Sequence, residues 1–135
     1  MDFLNKYKIG YVAYNSELSH AVDRRRFGFY AKTRNIDYEI ANKTDDYDIV
    51  VITQAADYSF WLKNKNPKTR YIFDFIDSYL DVSRFEIKGL ARGSSKYIFG
   101  QSKYFRPNYW KTLREMCSTS DVVICATEEQ QKAIE

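Results

Sequence analysis

Apolar residues gather in short runs separated by polar turns. Lys8-Ile9-Gly10-Tyr11-Val12-Ala13-Tyr14 is apolar on both parities, which predicts a first strand covered on both faces of a parallel sheet. Turn and capping residues follow at Asn15-Ser16-Glu17. Leu18, Ala21, Val22 and Phe29 then fall near helical spacing, predicting a helix from about Ser19 to Arg34 capped by Ser16 or Ser19. Residues Asp37–Ala41 read as a short second strand, and the β-branched run Asp48–Thr53 as a clearer third. Asp57 caps a brief helix holding Phe60 and Trp61, Pro67 closes it, and Thr69–Ile76 forms a fourth strand.

The stretch from Asp81 to Phe105 has helix-compatible composition but is interrupted by Gly89, Gly93 and Gly100, so it predicts broken helix. Pro107 opens a further helix through Trp110, Leu113, Met116 and Cys117 to about Ser118. Asp121–Ala126 reads as a fifth strand, and Thr127-Glu128-Glu129-Gln130 matches a capping box opening a last helix. Alternating strands and helices predict an α/β fold, a doubly wound parallel sheet of Rossmann-like type in a single domain over 1–135. A well-capped helix that stops at Glu135 after about two turns predicts that the chain is part of a longer protein.

Composition narrows the chemistry. A single His and two cysteines, Cys117 and Cys125, exclude a zinc ribbon or a His-rich metal site of familiar spacing. Both cysteines read as small core residues suited to a reducing, cytoplasmic compartment. No apolar run reaches the roughly 20 residues that span a bilayer, and no secretory leader pattern opens the chain.

In a doubly wound sheet the ligand crevice lies outside the carboxyl ends of the strands. The loops there begin at Tyr14, Thr53, Asp74 and Ala126. The first lacks the Gly-x-Gly-x-x-Gly spacing of dinucleotide sites, and no Walker pattern occurs, which argues against an oxidoreductase cofactor and a P-loop hydrolase. Asn15, Ser16 and Ser19 form a polar loop feeding a helix N-terminus that can receive a hydroxyl or an anion, or serve as ordinary caps. His20 can titrate near neutrality or simply sit on the helix surface. Thr53 ends the third strand with Gln54 after it, so the phosphate-accepting Asp of a phospho-receiver domain is missing.

Asp74 and Asp77, three residues apart at the fourth strand's end, can orient a sugar or polyol hydroxyl or accept its proton, with helix capping the alternative for Asp77. Thr53, Thr127 and Glu128 would line the cleft edge.

Charge is uneven. Residues 84–114 carry eight cations against Glu86, while the whole chain is only +3. Aromatic residues interleave with them. This stretch reads as a solvated face, as a surface for anionic membrane through Arg84, Lys88, Arg92, Lys96, Lys103 and Arg106 at about 1 kcal/mol per cation, or as a nucleic-acid surface. No nucleic-acid-binding motif supports the last reading.

Three segments resemble the N-terminal, acceptor-side half of GT-B fold glycosyltransferases of the group 1, family 4 type, which build capsule, teichoic acid and lipopolysaccharide sugars. They are Arg24-Arg25-Arg26-Phe27 after a Tyr-rich strand, Tyr71-Ile72-Phe73-Asp74-Phe75-Ile76-Asp77, and Ser120-Asp121-Val122-Val123-Ile124-Cys125-Ala126-Thr127-Glu128-Glu129. The sequence departs from the family where Phe73 precedes Asp74 and where Ala126-Thr127 stands in place of Ser. The resemblance implies a second Rossmann-like domain, outside this sequence, that holds the nucleotide-sugar donor. The present half would take a sugar or lipid-linked acceptor through Asn15, Ser16, Ser19, Asp74 and Asp77, and would be inactive alone. It also implies a cytoplasmic location, docking on the inner membrane face and no bound metal or other cofactor. The rival expectation is a non-catalytic α/β module whose basic aromatic stretch engages anionic membrane or nucleic acid.

Overall fold

The β-branched and aromatic runs form the strands they predict. The computed structural model describes residues 4–76, 91, 94–100, 103–104 and 108–134. Within them β1 spans Ile9–Val12, β2 Glu39–Ile40, β3 Ile49–Thr53, β4 Arg70–Asp74 and β5 Val122–Ile124. These five strands pair in parallel in the order β2-β1-β3-β4-β5. Register is fixed by pairs such as Tyr11 with Val51, Val51 with Ile72 and Asp74 with Ile124.

Aspartates pin the strand starts. A carboxylate oxygen of Asp48 accepts the Lys8 N–H at 2.7 Å, and Asp121 accepts the Tyr71 N–H at 2.8 Å. Each gives a carboxylate oxygen to a main-chain donor near the amino end of a neighbouring strand, and Asp121 also accepts from Arg70 Nη1 at 2.9 Å.

Side-chain alternation divides the core in two. On one face Val50, Ile52, Tyr71 and Phe73 pack beneath α3 (Tyr58–Lys63) and α4 (Tyr109–Thr119), with Phe60, Trp61, Leu113 and Met116 filling the layer. On the other, Ile9, Tyr11 and Val51 pack against Ala31 of α2 (Phe27–Arg34) and against Ile36 beyond it. Helices on both faces of a parallel sheet define an α/β fold of Rossmann-like type, as the element order predicts. Each fully buried large side chain, Phe73 and Leu113 among them, stabilises by about 1.5–3 kcal/mol.

The caps follow local chemistry. Asp57 caps α3, accepting the Phe60 N–H at 3.3 Å. Asn108 caps α4 through the Lys111 N–H at 3.0 Å; Pro107, expected in its first turn, lies outside the described residues. At α5 (Glu128–Ile134) the Thr127 hydroxyl accepts the Gln130 N–H at 3.2 Å, and Gln130 Oε1 reaches back to the Ala126 N–H at 2.6 Å.

The first crossover differs from its prediction. In place of one helix from Ser19 there are two, α1 (Ala21–Arg25) and α2, broken at Arg26, whose backbone sits at φ −110° and ψ −112°. Gly28 permits the bend: a Cβ there would lie 2.2 Å from the Asp23 carbonyl oxygen. The α1 cap is His20, whose Nδ1 accepts the Val22 N–H at 3.2 Å.

Coverage also differs along the sheet. The first strand is enclosed as expected, but β5 is not. Val122 and Ile124 share the α2 side with Ile72 and Asp74, and they remain 51% and 42% exposed.

Candidate functional site at the carboxyl rim

Strand order reverses between β1 and β3, so the loops after them flank the switch point where α/β sheets place ligands. The structure builds this rim around two buried carboxylates.

Asp23, on α1, is almost fully buried. Its oxygens accept the Tyr11 hydroxyl at 2.7 Å, the Tyr14 N–H at 3.0 Å and the Asn15 N–H at 3.3 Å. A helix side chain thus satisfies main-chain donors of the loop that follows β1. Burial first, and the hydrogen bond to Asp23 second, push the Tyr11 hydroxyl far above the ordinary phenol range. Beyond it the loop closes on itself: Asn15 Oδ1 accepts the Ser19 N–H at 3.0 Å, and Asn15 Nδ2 donates to Ser19 Oγ at 2.9 Å. Ser16 is exposed. The His20 ring stacks on Tyr14 with centroids 4.4 Å apart.

Asp74, at the end of β4, has a side chain only 3% exposed and receives Arg26 in a bidentate pair. Arg26 Nε donates to both carboxylate oxygens at 2.9 Å, and Nη2 donates to Oδ1. The break between α1 and α2 delivers this side chain over the sheet edge. The hydrogen bond to Asp74 raises the guanidinium above its ordinary value, outweighing the burial that works against it. Asp74 is therefore committed to a cation as it stands, and the group it presents at the rim is Arg26, about a quarter exposed, with Nη1 making no hydrogen bond among the described residues.

A third carboxylate organises the neighbouring loops. Asp57 receives Lys43 Nζ and the Lys103 N–H, each at 2.8 Å, together with the Ser59 hydroxyl. Burial pushes its carboxyl up, but these donors outweigh it and hold the group below the usual carboxylate range.

The predicted site residues are distributed around this frame. Asn15 and Ser19 bond each other, whereas Asp74 bonds Arg26. Thr53 is wholly buried, its hydroxyl donating to the Val12 carbonyl at 2.6 Å, so it ties two strand ends together. Gln54, next to it, accepts the Ile76 N–H at 2.9 Å and links the loops after β3 and β4. Thr127 caps α5 and Glu128 is exposed; both border a recess of about 640 Å³ with Cys125 and Gln131. Asp77, Arg84, Lys88, Arg92 and Arg106 lie outside the described residues. Of the remaining cations in that set, Lys96 Nζ sits 4.5 Å from the Tyr109 ring centroid, and Lys103 Nζ sits 5.4 Å from that of Phe60.

Sequence reasoning passed over Asp23 and the local role of Arg26. The available signal was a lone carboxylate one turn into a helix start otherwise rich in arginine, which a solvated helix face does not require.

Among the described residues no group of three or more His, Cys, Asp or Glu could hold a metal ion, and no helix is long and apolar enough to cross a membrane. Comparison with protein-family models, curated proteins and solved structures finds no match to the chain.

Proposed function

We propose that the chain is the acceptor-side half of a glycosyltransferase, receiving a sugar or lipid-linked hydroxyl acceptor at the carboxyl rim while a second domain holds the nucleotide-sugar donor. The observation that carries this reading is Arg26, fixed by Asp74 at the rim of a parallel sheet, with Nη1 a spare donor among the described residues. A guanidinium held by one carboxylate retains direction, and its free edge can orient a hydroxyl or an anionic group of an acceptor. In this reading Asp74 is a positioning residue, and the Asn15–Ser19 loop forms the adjoining wall.

Transfer would proceed by attack of the acceptor oxygen on the anomeric carbon as the bond to the nucleoside diphosphate breaks. The acceptor proton passes to a base, and the departing diphosphate is stabilised by the donor-side domain. Reading the native gene beyond the Glu135 codon tests the proposal. An in-frame second α/β domain, or an adjacent gene encoding one, is expected; a stop codon with no such neighbour would refute it.

One observation favours a second, non-catalytic reading. Ile98 and Phe99, beside Lys96, are each 75% exposed at the end of a helical turn at 94–98. Adjacent exposed apolar side chains close to a cation suit an anionic bilayer surface. Sedimentation with phosphatidylglycerol vesicles across a salt series tests it: binding that weakens with salt and is lost in Ile98→Ser/Phe99→Ser supports the reading, and binding indifferent to both changes removes it.

A further inference from the structure

We propose that the sheet face beside α2, left partly exposed among the described residues, is a binding groove for an amphiphilic anion, a single aliphatic chain ending in a carboxylate or phosphate. The groove holds about 500 Å³ and is floored by Val51, Ile72 and Ile124, with Phe27 and Tyr30 as its side wall. That volume falls within the roughly 300–1,000 Å³ typical of small-ligand sites. Parallel sheets are ordinarily covered on both faces, yet here Ile124 and Tyr30 stay 42% and 49% exposed along the groove. The apolar floor therefore has contact surface still to bury.

Charge chooses the occupant. Arg25 and Arg26 stand at one end of the groove with Asp74. The Asp74 charge is already answered by Arg26, so it does not repel an incoming anion. Arg25 makes no hydrogen bond or ion pair among the described residues, and neither does its neighbour Arg24. An unanswered cation above an apolar floor matches a ligand whose head is anionic and whose body is aliphatic; it repels a cationic amphiphile and gives a neutral chain no charge-assisted contact. Because Asp74 and Ile124 are register partners at the strands' carboxyl ends, the head lies at the rim and the tail runs down the sheet over Ile72. The head shares the Arg26–Asp74 rim with the acceptor site proposed above, but the inference rests on the groove and on Arg25 and stands whether or not sugar transfer occurs.

The test titrates the full chain with cis-parinarate and follows its fluorescence, then displaces it with dodecanoate, dodecyl phosphate or dodecanol. Both anions should displace the probe, and dodecanol should be about tenfold weaker or worse, as expected when a charge-assisted hydrogen bond is lost. Arg25→Glu should weaken parinarate by a similar factor of about ten, while the same charge change at the distant, exposed Lys68 leaves affinity within about twofold. Ile124→Glu, which puts an anion in the groove floor at an exposed position, should abolish binding. In the unsubstituted chain, a spin-labelled stearate should broaden the amide resonances of Val51, Ile72 and Ile124 before others. Parinarate binding unchanged by both groove variants, or broadening elsewhere, would overturn the assignment. So would a stable dimer that fails to bind the probe and dissociates on Ile124→Glu, because the face would then belong to a second copy of the chain.

Discussion

Separating the two halves of the Arg26–Asp74 pair gives unequal losses, and the inequality follows from burial. The Asp74 side chain is 3% exposed and sits beside Val51, Ile72 and Ile124, whereas Arg26 is 26% exposed. Arg26→Ala strands a carboxylate that water scarcely reaches, and breaking a buried pair from that side costs about 3–5 kcal/mol. Asp74→Asn leaves a guanidinium that can turn toward solvent and still meet an amide oxygen. Its cost is nearer the loss of one charge-assisted interaction, about 1.5–3 kcal/mol. The double variant Arg26→Ala/Asp74→Asn removes the stranded charge, so it should be more stable than Arg26→Ala alone. Urea unfolding followed by far-ultraviolet circular dichroism, with the four proteins forming a double-mutant cycle, measures all three quantities. Equal losses for the two single variants, or additive losses in the double, would refute the view that the carboxylate depends on this cation.

Other outcomes follow from the same structure. Gly28→Ala gains up to about 1 kcal/mol of helix propensity, but its methyl meets the Asp23 carbonyl, so a net loss of about 1–3 kcal/mol is expected in the same unfolding assay. Asp57 has a folded-state pKa held below its ordinary value of 3.8; its contribution is present above that value and lost as pH falls through the depressed one, so Asp57→Asn should flatten the decline in stability on acidification below about pH 4. Burial pushes the Cys117 thiol up to about 11, so iodoacetamide at neutral pH should alkylate Cys117 only after unfolding, with the half-buried Cys125 labelled ahead of it by mass spectrometry.

What the sequence made legible was local. The β-branched run of β3, the aromatic alternation of β4 and the apolar spacing of α4 each specify their element within a few residues. The caps at Asp57 and Thr127 bond donors two or three residues away, so short-range pattern is enough to find them. The break at Arg26 escaped because its causes are not local: Asp74 lies 48 residues further on, and the space that suits Gly28 exists only once Asp23 has turned inward. The same coupling moved the α1 cap. Asn15 and Ser19 satisfy each other, leaving His20 to accept from the helix. Thr53 and Asp74 do end their strands, but their partners were not visible. Thr53 faces inward to Val12, and Asp74 is taken by a helix that periodicity alone would have drawn straight.

The two buried carboxylates also explain where anion recognition can occur on this edge. In phosphate-binding α/β folds the main-chain donors after the first strand face the ligand, and glycines keep them accessible. Here Asp23 fills that position itself, accepting from Tyr14 and Asn15. Its charge would also repel an approaching phosphate. The loop is therefore a closed, anion-capped turn, in keeping with its missing glycine pattern. Cationic capacity at the rim shifts to the end of α1 and the break after it, where Arg24 and Arg25 have no partner among the described residues and Arg26 is aimed by Asp74. Asp23→Asn should expose this division of labour. Removing the charge reduces repulsion at the loop but leaves no glycine-lined approach, so inorganic phosphate should still show no saturable shift of the Tyr14 and Asn15 amides by NMR. A phosphate site appearing there would mean that the carboxylate, rather than the backbone path, had excluded the anion.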